Sequence, residues 1–271
     1  MKTIDFFETH PIFRYEEFTE FMAEQGIDNP ANARQQLQYH CKQGNLWHIR
    51  RLLYAVKPFP AVANVGVDPY LIAAKATQDA VLSHHTALEL HGFAYTTFET
   101  LTYLTAQASK PFTYEDQNFR SVRFPTSLQE KNKTDYGVDT ITRGGVTIRL
   151  TSLERTIVDI LERPDLAGGW EEVLRSLEQV VSFDAQKLID YTLMLDNATT
   201  VAKVGFFLEQ RPEHLAVQSS ITDQLLPYLP TQPHYIDRSQ RKDGKLIKKW
   251  QLIVPAEILE QRWKEPHDND H

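Results

Sequence analysis

NARQQLQYHCKQGNLWHIRRLLYAV, residues 32 to 56, holds no aspartate or glutamate, in a chain of 271 residues with 36 acidic against 29 basic side chains and a net charge of −7. The acid-free window reaches from Asn29 to Val67 and carries Arg34, Lys42, Arg50, Arg51 and Lys57, for +5. A second basic island, Arg238 to Lys249, sets six basic residues against Asp243, again +5; setting both islands aside leaves −17 on the remainder. Such islands can hold a polyanion while the acidic body repels non-specific contact.

The residues around the window predict three short helices and a hairpin. Thr3 to Thr9 offers Ile4, Phe6 and Phe7 as an apolar side, and Pro11 stops it. Phe18, Phe21 and Met22 recur at helical spacing over Tyr15 to Gln25, before Gly26. Asn29-Pro30 then pairs an N-cap asparagine with proline at the first helical position, a start signal for a third helix that runs to Gln43 and stops at Gly44. At 100° per residue, Ala33, Leu37 and Cys41 share the inner face of that helix. Asn32, Gln35, Tyr39 and Lys42 gather on the opposite face, flanked by Arg34 and Gln38. Amides can read adenine edges, and Arg or Lys can contact phosphate or guanine, so these are candidate DNA contacts. LWHIRRLLYAV continues as the two-stranded wing of a winged helix-turn-helix. His48, Arg50 and Arg51 extend the DNA-contacting set, with the arginines near the wing tip. A single polar helix face is ordinarily just solvated; the order of helices, acid-free helix, glycine and basic hairpin is what points to nucleic acid.

Downstream, KPFPAVANVGVDP (57 to 69) reads as a linker. Helices are expected at Tyr70 to Lys75 and at Ser83 to His91. Strand-like runs follow at 100 to 107, 112 to 125 and 145 to 151, the last with Val146, Ile148 and Leu150 on one face. Thr151 and Glu154 are spaced as a capping box for a helix with Leu153, Ile157, Ile160 and Leu161 buried. Arg155 and Asp159 are spaced for a surface ion pair on it. Further helices are expected at Trp170 to Val181, Ala185 to Leu195 and Thr199 to Gln210, with Asn197 as a cap for the last. RSQRKDGKLIKKWQLIV reads as a hairpin turning at Asp243-Gly244. Its Arg241, Lys242, Lys245 and Lys248 form a possible second phosphate contact, or merely protect an edge strand. A short helix is expected within Pro255 to Lys264, and a disordered tail at EPHDNDH.

One cysteine, Cys41, leaves no internal disulfide and fits a reducing compartment. Asp5 and Glu8 interrupt the N-terminus where a signal peptide needs an apolar run, and no run is long enough to cross a bilayer. A cytoplasmic protein without membrane contact is expected. His84, His85 and His91 invite a metal reading, but no second ligand cluster stands beside them, so no metal and no cofactor is expected.

Four blocks resemble the AbiEi antitoxins, regulatory partners in type IV toxin–antitoxin (abortive infection) systems. They are the opening NARQQLQYHCKQGNLWHIRRLLYAV, then SHHTALELHG, VTIRLTSLERTIVDIL and KVGFFLEQ, in family order over about four-fifths of the chain. The resemblance implies an N-terminal winged helix-turn-helix that represses its own operon at promoter inverted repeats. It further implies a C-terminal antitoxin domain countering an AbiEii-like nucleotidyltransferase toxin without a stable complex. Family wings carry a glycine after the basic pair, where this chain has Leu52 and Leu53; which arginine points to DNA is left open.

The expected organisation is an α+β fold, with residues 1–58 as the winged helix-turn-helix and 59–271 as a larger mixed α/β antitoxin domain containing a helical bundle. A repressor and antitoxin is expected, not an enzyme. Two readings compete. A DNA-directed nuclease would need clustered carboxylates, for which Asp139, Glu154, Asp159 and Glu162 are available but no Asp…Glu-x-Lys run is. A pure interaction module would use the acidic body to dock a basic partner.

Overall fold

The computed structural model describes residues 3–58, 66–211, 217–237 and 243–261. It is a mixed α/β chain that sorts into two compact units, each assembled from separate stretches. The first comprises Met1–Leu82, Glu99–Arg123 and Asp139–Leu150; the second comprises Ser83–Phe98, Phe124–Val138 and Thr151–His271.

The first unit begins with α1 (Thr3–Thr9), β1 (Ile12–Arg14), α2 (Tyr15–Glu24) and α3 (Pro30–Lys42). The Asn29 side chain caps α3 by accepting from the Ala31 amide, and Pro30 follows at the first helical position. β2 (Leu46–Arg50) and β3 (Leu53–Val56) form the hairpin, and β1 adds to β3, giving the antiparallel order β1-β3-β2. A phenylalanine-rich core holds these elements together: Phe6, Phe7, Phe13 and Phe18 with Met22, Ala33, Leu37 and Leu46. Phe6 meets Phe13 and Phe18 edge-on at 5.1 and 5.3 Å, a geometry that adds to area burial. Cys41 packs at the margin of this core, where burial raises its thiol pKa. β1 went unread in the sequence because a three-residue strand carries no periodicity.

α4 (Pro69–Ala74) is tied to this helical part. The Arg14 guanidinium donates to the carbonyls of Lys75 and Ala76, and the Lys75 ammonium pairs with Glu17. The rest of the unit is a six-stranded sheet of β4 (Val81–Leu82), β5 (Thr100–Thr105), β6 (Phe112–Tyr114), β7 (Gln117–Arg123), β8 (Val138–Arg143) and β9 (Val146–Thr151), ordered β6-β7-β5-β4-β9-β8. The run at 112–125 is therefore a hairpin, β6 pairing antiparallel with β7, and not one strand. Val146, Ile148 and Leu150 share the buried face, as their alternation predicts. Gly144 and Gly145, both at positive φ, turn the chain between β8 and β9.

The second unit contains α5 (His84–Leu90), α6 (Thr126–Glu130), α7 (Leu153–Glu162), α8 (Trp170–Glu178), α9 (Ala185–Met194), α10 (Ala198–Glu209) and α11 (Ser219–Thr222). Behind them come β10 (His234–Tyr235), β11 (Gly244–Ile247), β12 (Leu252–Pro255) and α12 (Ala256–Glu260). The three strands make a small mixed sheet, β10-β12-β11, with β10 parallel and β11 antiparallel to β12. Ile157, Val158, Ile160 and Leu161 of α7 are buried among α5, α9 and α10.

Three readings are corrected here. Ser152, not Thr151, caps α7, its hydroxyl accepting from the Arg155 amide; Thr151 ends β9. That moves Glu154 one position nearer the cap, and it accepts from the Asp184 amide instead. Arg155 and Asp159 are not on the surface but 1% and 3% exposed, because the whole of this turn of α7 faces neighbouring helices. The last segment reverses at 248–251, where a continuous strand was expected, with Gln251 in the left-handed region and Trp250 buried; the arm that would precede a turn at Asp243-Gly244, residues 238–242, lies outside the described residues. The linker residues 59–65 and the tail from 262 lie outside the described residues. No described helix is long and apolar enough to cross a membrane.

Candidate nucleic-acid interface

α3 presents its two faces as its spacing dictates. Ala33 and Leu37 are 1% exposed, while Asn32, Gln35, Gln38, Tyr39 and Lys42 are exposed, Tyr39 to 58%. Among the described residues, the side chains of Asn32, Gln35, Gln38 and Lys42 have no hydrogen-bond or ion-pair partner. Gln36, on the neighbouring flank, is by contrast used internally: its Oε1 accepts from the Thr3 hydroxyl at 2.9 Å. Arg34 is exposed at the other flank, with its guanidinium 5.8 Å from the Tyr15 ring. The structure thus leaves a row of amide, phenol and ammonium groups unspent and free of carboxylates.

The hairpin separates its two arginines. Arg50, half-buried at the end of β2, lays its guanidinium over the ring of Phe112 at 4.3 Å, and Phe112 stacks on Phe119 at 4.6 Å. Arg51 sits in the turn, exposed, with no hydrogen-bond or ion-pair partner among the described residues. His48 is exposed on β2 and leans on Tyr54, ring centroids 5.1 Å apart. Lys57, of the same basic island but outside the expected contact set, lies 5.4 Å over Trp47.

Leu52 completes the turn at φ +65°, a region that side-chain-bearing residues avoid at roughly 1–2 kcal/mol. It occupies the kind of position that a glycine takes without strain. Its carbonyl accepts from the Tyr15 amide at 2.9 Å, which holds the turn against the start of α2. Leu52→Gly is therefore expected to be at least as stable as the parent. Leu52→Val, β-branched at the same φ, should lose about 1 kcal/mol. Urea midpoints of the two variants check this; equal midpoints would show that the turn carries no backbone strain.

Of the second basic island, Lys245 and Lys248 are exposed on and just after β11, whereas Arg241 and Lys242 lie outside the described residues. Lys249 is spent on Glu209. The three histidines have structural partners. His91 Nε2 donates to the Thr151 carbonyl, and His84 Nδ1 is 2.9 Å from the Ser83 hydroxyl. His85, stacked on Phe98, stands 3.1 Å from both Glu89 and Glu172. Among the described residues no group of three or more His, Cys, Asp or Glu could hold a metal ion.

The carboxylates a nuclease would draw on in the second unit are engaged elsewhere. Glu154 takes the Asp184 amide, and Glu162 takes the Asn197 side chain. Asp159 takes the Tyr191 hydroxyl at 2.6 Å. Asp139 is exposed on β8 of the first unit. A cleft of about 640 Å³ in the second unit is lined by Glu162, Trp170 and Lys203, among others. The Lys203 ammonium there is directed to the carbonyls of Leu161 and Glu162 at the end of α7, the use expected of a lysine at a helix C-terminus.

In fold, the chain is similar to the RV2827C protein from Mycobacterium tuberculosis: its crystal structure matches with a TM-score of 0.58 at 15% identity, over 93% of this chain and 90% of that one. Likeness at that identity bears on the fold alone. No protein-family model matches the chain, and no curated protein does.

Proposed function

We propose that the protein is a DNA-binding transcriptional autorepressor whose first three helices and hairpin act as a winged helix-turn-helix. The observation that carries this reading is the exposed, carboxylate-free face of α3, with four side chains unpartnered, next to a hairpin that carries Arg51 at its tip. The element order helix, strand, helix, helix, hairpin supports it, as does a sheet in which β1 joins the hairpin. α3 would enter the major groove. Arg51, rather than the stacked Arg50, would reach phosphate or the minor groove. Such a repressor acts in the cytoplasm on double-stranded DNA, the inverted repeats of its own promoter. We further propose, on the resemblance of the four sequence blocks, that it is the antitoxin to an AbiEii-like nucleotidyltransferase toxin, acting without a stable complex and without catalysis of its own. Those blocks form α5, α7 and α10 beyond the DNA-binding part.

A mobility-shift titration of the full chain on its own promoter tests the first half. Arg51→Ala should weaken binding to operator and random duplex alike, and reduce the slope of log K against log salt by about one. Gln35→Ala should instead narrow the gap between operator and random DNA. Arg50→Ala should cost less affinity than Arg51→Ala. If both Arg51→Ala and Gln35→Ala bind operator as the parent does, the interface lies elsewhere. Rescue of growth on co-expression with the toxin tests the second half.

A further inference from the structure

We propose that α3 reads A·T base pairs, so that the operator half-site is A·T-rich where the helix enters the major groove. This rests on the DNA-binding reading above and deepens it by naming the class of sequence bound. The first ground is the chemistry of the outward face. Adenine shows an N7 acceptor beside an N6 amino donor in the major groove, and a carboxamide offers the matching donor and acceptor in one plane. Asn32, Gln35 and Gln38 supply three such amides, all exposed and unpartnered among the described residues. Guanine shows two acceptors there, O6 and N7, which the fork of Arg or the ammonium of Lys matches, whereas a carboxamide laid across both would set its own oxygen against one of them. The exposed ring of Tyr39, one residue beyond Gln38, offers apolar surface for a thymine methyl.

The second ground is where the cations are. Arg34 sits on the flank of α3 over Tyr15, and Arg50 is drawn off onto Phe112. Lys42 is the last residue of the helix, and Arg51 is on the hairpin. The middle of the reading face is left to amides and a phenol. A hairpin arginine adds to the same preference, because the narrow minor groove of A·T tracts attracts arginine by its deeper negative potential.

The test is in vitro selection by the full chain from a random duplex library, followed by atom-specific substitution. The enriched half-site should contain consecutive A·T pairs. Exchanging one of them for G·C should weaken binding roughly 5- to 150-fold. Replacing the same adenine by 7-deazaadenine removes the N7 acceptor and leaves the minor groove intact; it should also weaken binding, by about 5-fold or more. Gln35→Leu should abolish that sensitivity at one position, and Gln35→Arg should shift the enriched base there to guanine. G·C pairs enriched at the helix-contacted positions would overturn the inference. So would indifference to 7-deazaadenine at every adenine, since the preference would then come from groove shape. Binding to random duplex without any selected sequence leaves the DNA-binding reading standing and removes this one. Failure to retard any duplex at about 50 mM salt removes both.

Discussion

Gly205→Ala should lower the stability of the protein by on the order of 3 kcal/mol, a fall in melting temperature of roughly 10 °C. The sequence gives no warning of this, since alanine is the better helix former by about 1 kcal/mol. Gly205 lies mid-α10, and the ring of the fully buried Trp250 rests directly on its backbone. A β-carbon there would stand 2.5 Å from Trp250 Cη2 and closer still to Cε3 and Cζ3. Neither partner can easily give way. α10 is buried along most of its length, and the indole Nε1 is fixed by a short hydrogen bond to Glu209, whose other oxygen takes Lys249. Trp250→Ala alone should lose about 3–5 kcal/mol through the cavity it leaves. The informative measurement is the pair: in the Trp250→Ala background, Gly205→Ala should be neutral or stabilising, because its methyl group enters empty space. Additive losses in urea unfolding would mean that the ring and the glycine do not meet.

The second large effect is expected at Arg155. Arg155→Met should lose about 3–5 kcal/mol, the usual result of removing one member of a buried ion pair. The guanidinium has its Nε 3.6 Å from Asp159, lies over the Tyr191 ring, and donates to the carbonyls of Thr134 and Tyr136. Burial pushes the Asp159 carboxyl up to about 6, against the pull of Arg155 and the Tyr191 hydroxyl. That sets a pH dependence with a definite sign. Unfolded, the carboxyl titrates at 3.8; folded, it keeps its proton to about pH 6. Between those values the native state binds the extra proton, so stability contributed below about pH 4 is lost as pH rises to about 6, by about 3 kcal/mol in all. Asp159→Asn should remove that decline, and Arg155→Met should carry it to higher pH. Urea unfolding from pH 4 to 8 decides: a parent and an Asp159→Asn variant with the same pH profile would show that Asp159 does not titrate in this range.

What could be read from the sequence was what neighbours along the chain determine. The Asn29-Pro30 cap, the Gly44 stop and the split of α3 into apolar and amide faces all depend on contacts within a few residues. The Val146, Ile148, Leu150 alternation does too. What escaped was set by residues far apart. Arg155 and Asp159 have the i,i+4 spacing of a surface pair, and the same spacing serves a buried one; only the helices packed around α7 distinguish them. The reversal at 248–251 has no glycine or proline to announce it, and Trp250 within it packs on Gly205, 45 positions earlier. Of the candidate interface, the α3 residues could be placed from the sequence. The fate of the two hairpin arginines could not, because Phe112, which takes Arg50, is 62 positions further on.

The six-stranded sheet has a bearing on how the molecule is made. β4 ends at Leu82, but its neighbour β9 ends only at Thr151, well downstream. Until that point has been synthesised, β4 has an unfilled edge on the side away from β5, and the chain has already contributed Ser83–Phe98 and Phe124–Val138 to the other unit. Translation therefore cannot finish one unit before starting the next. A premature stop between about residues 105 and 150 releases α3 and its hairpin attached to an incomplete, aggregation-prone sheet.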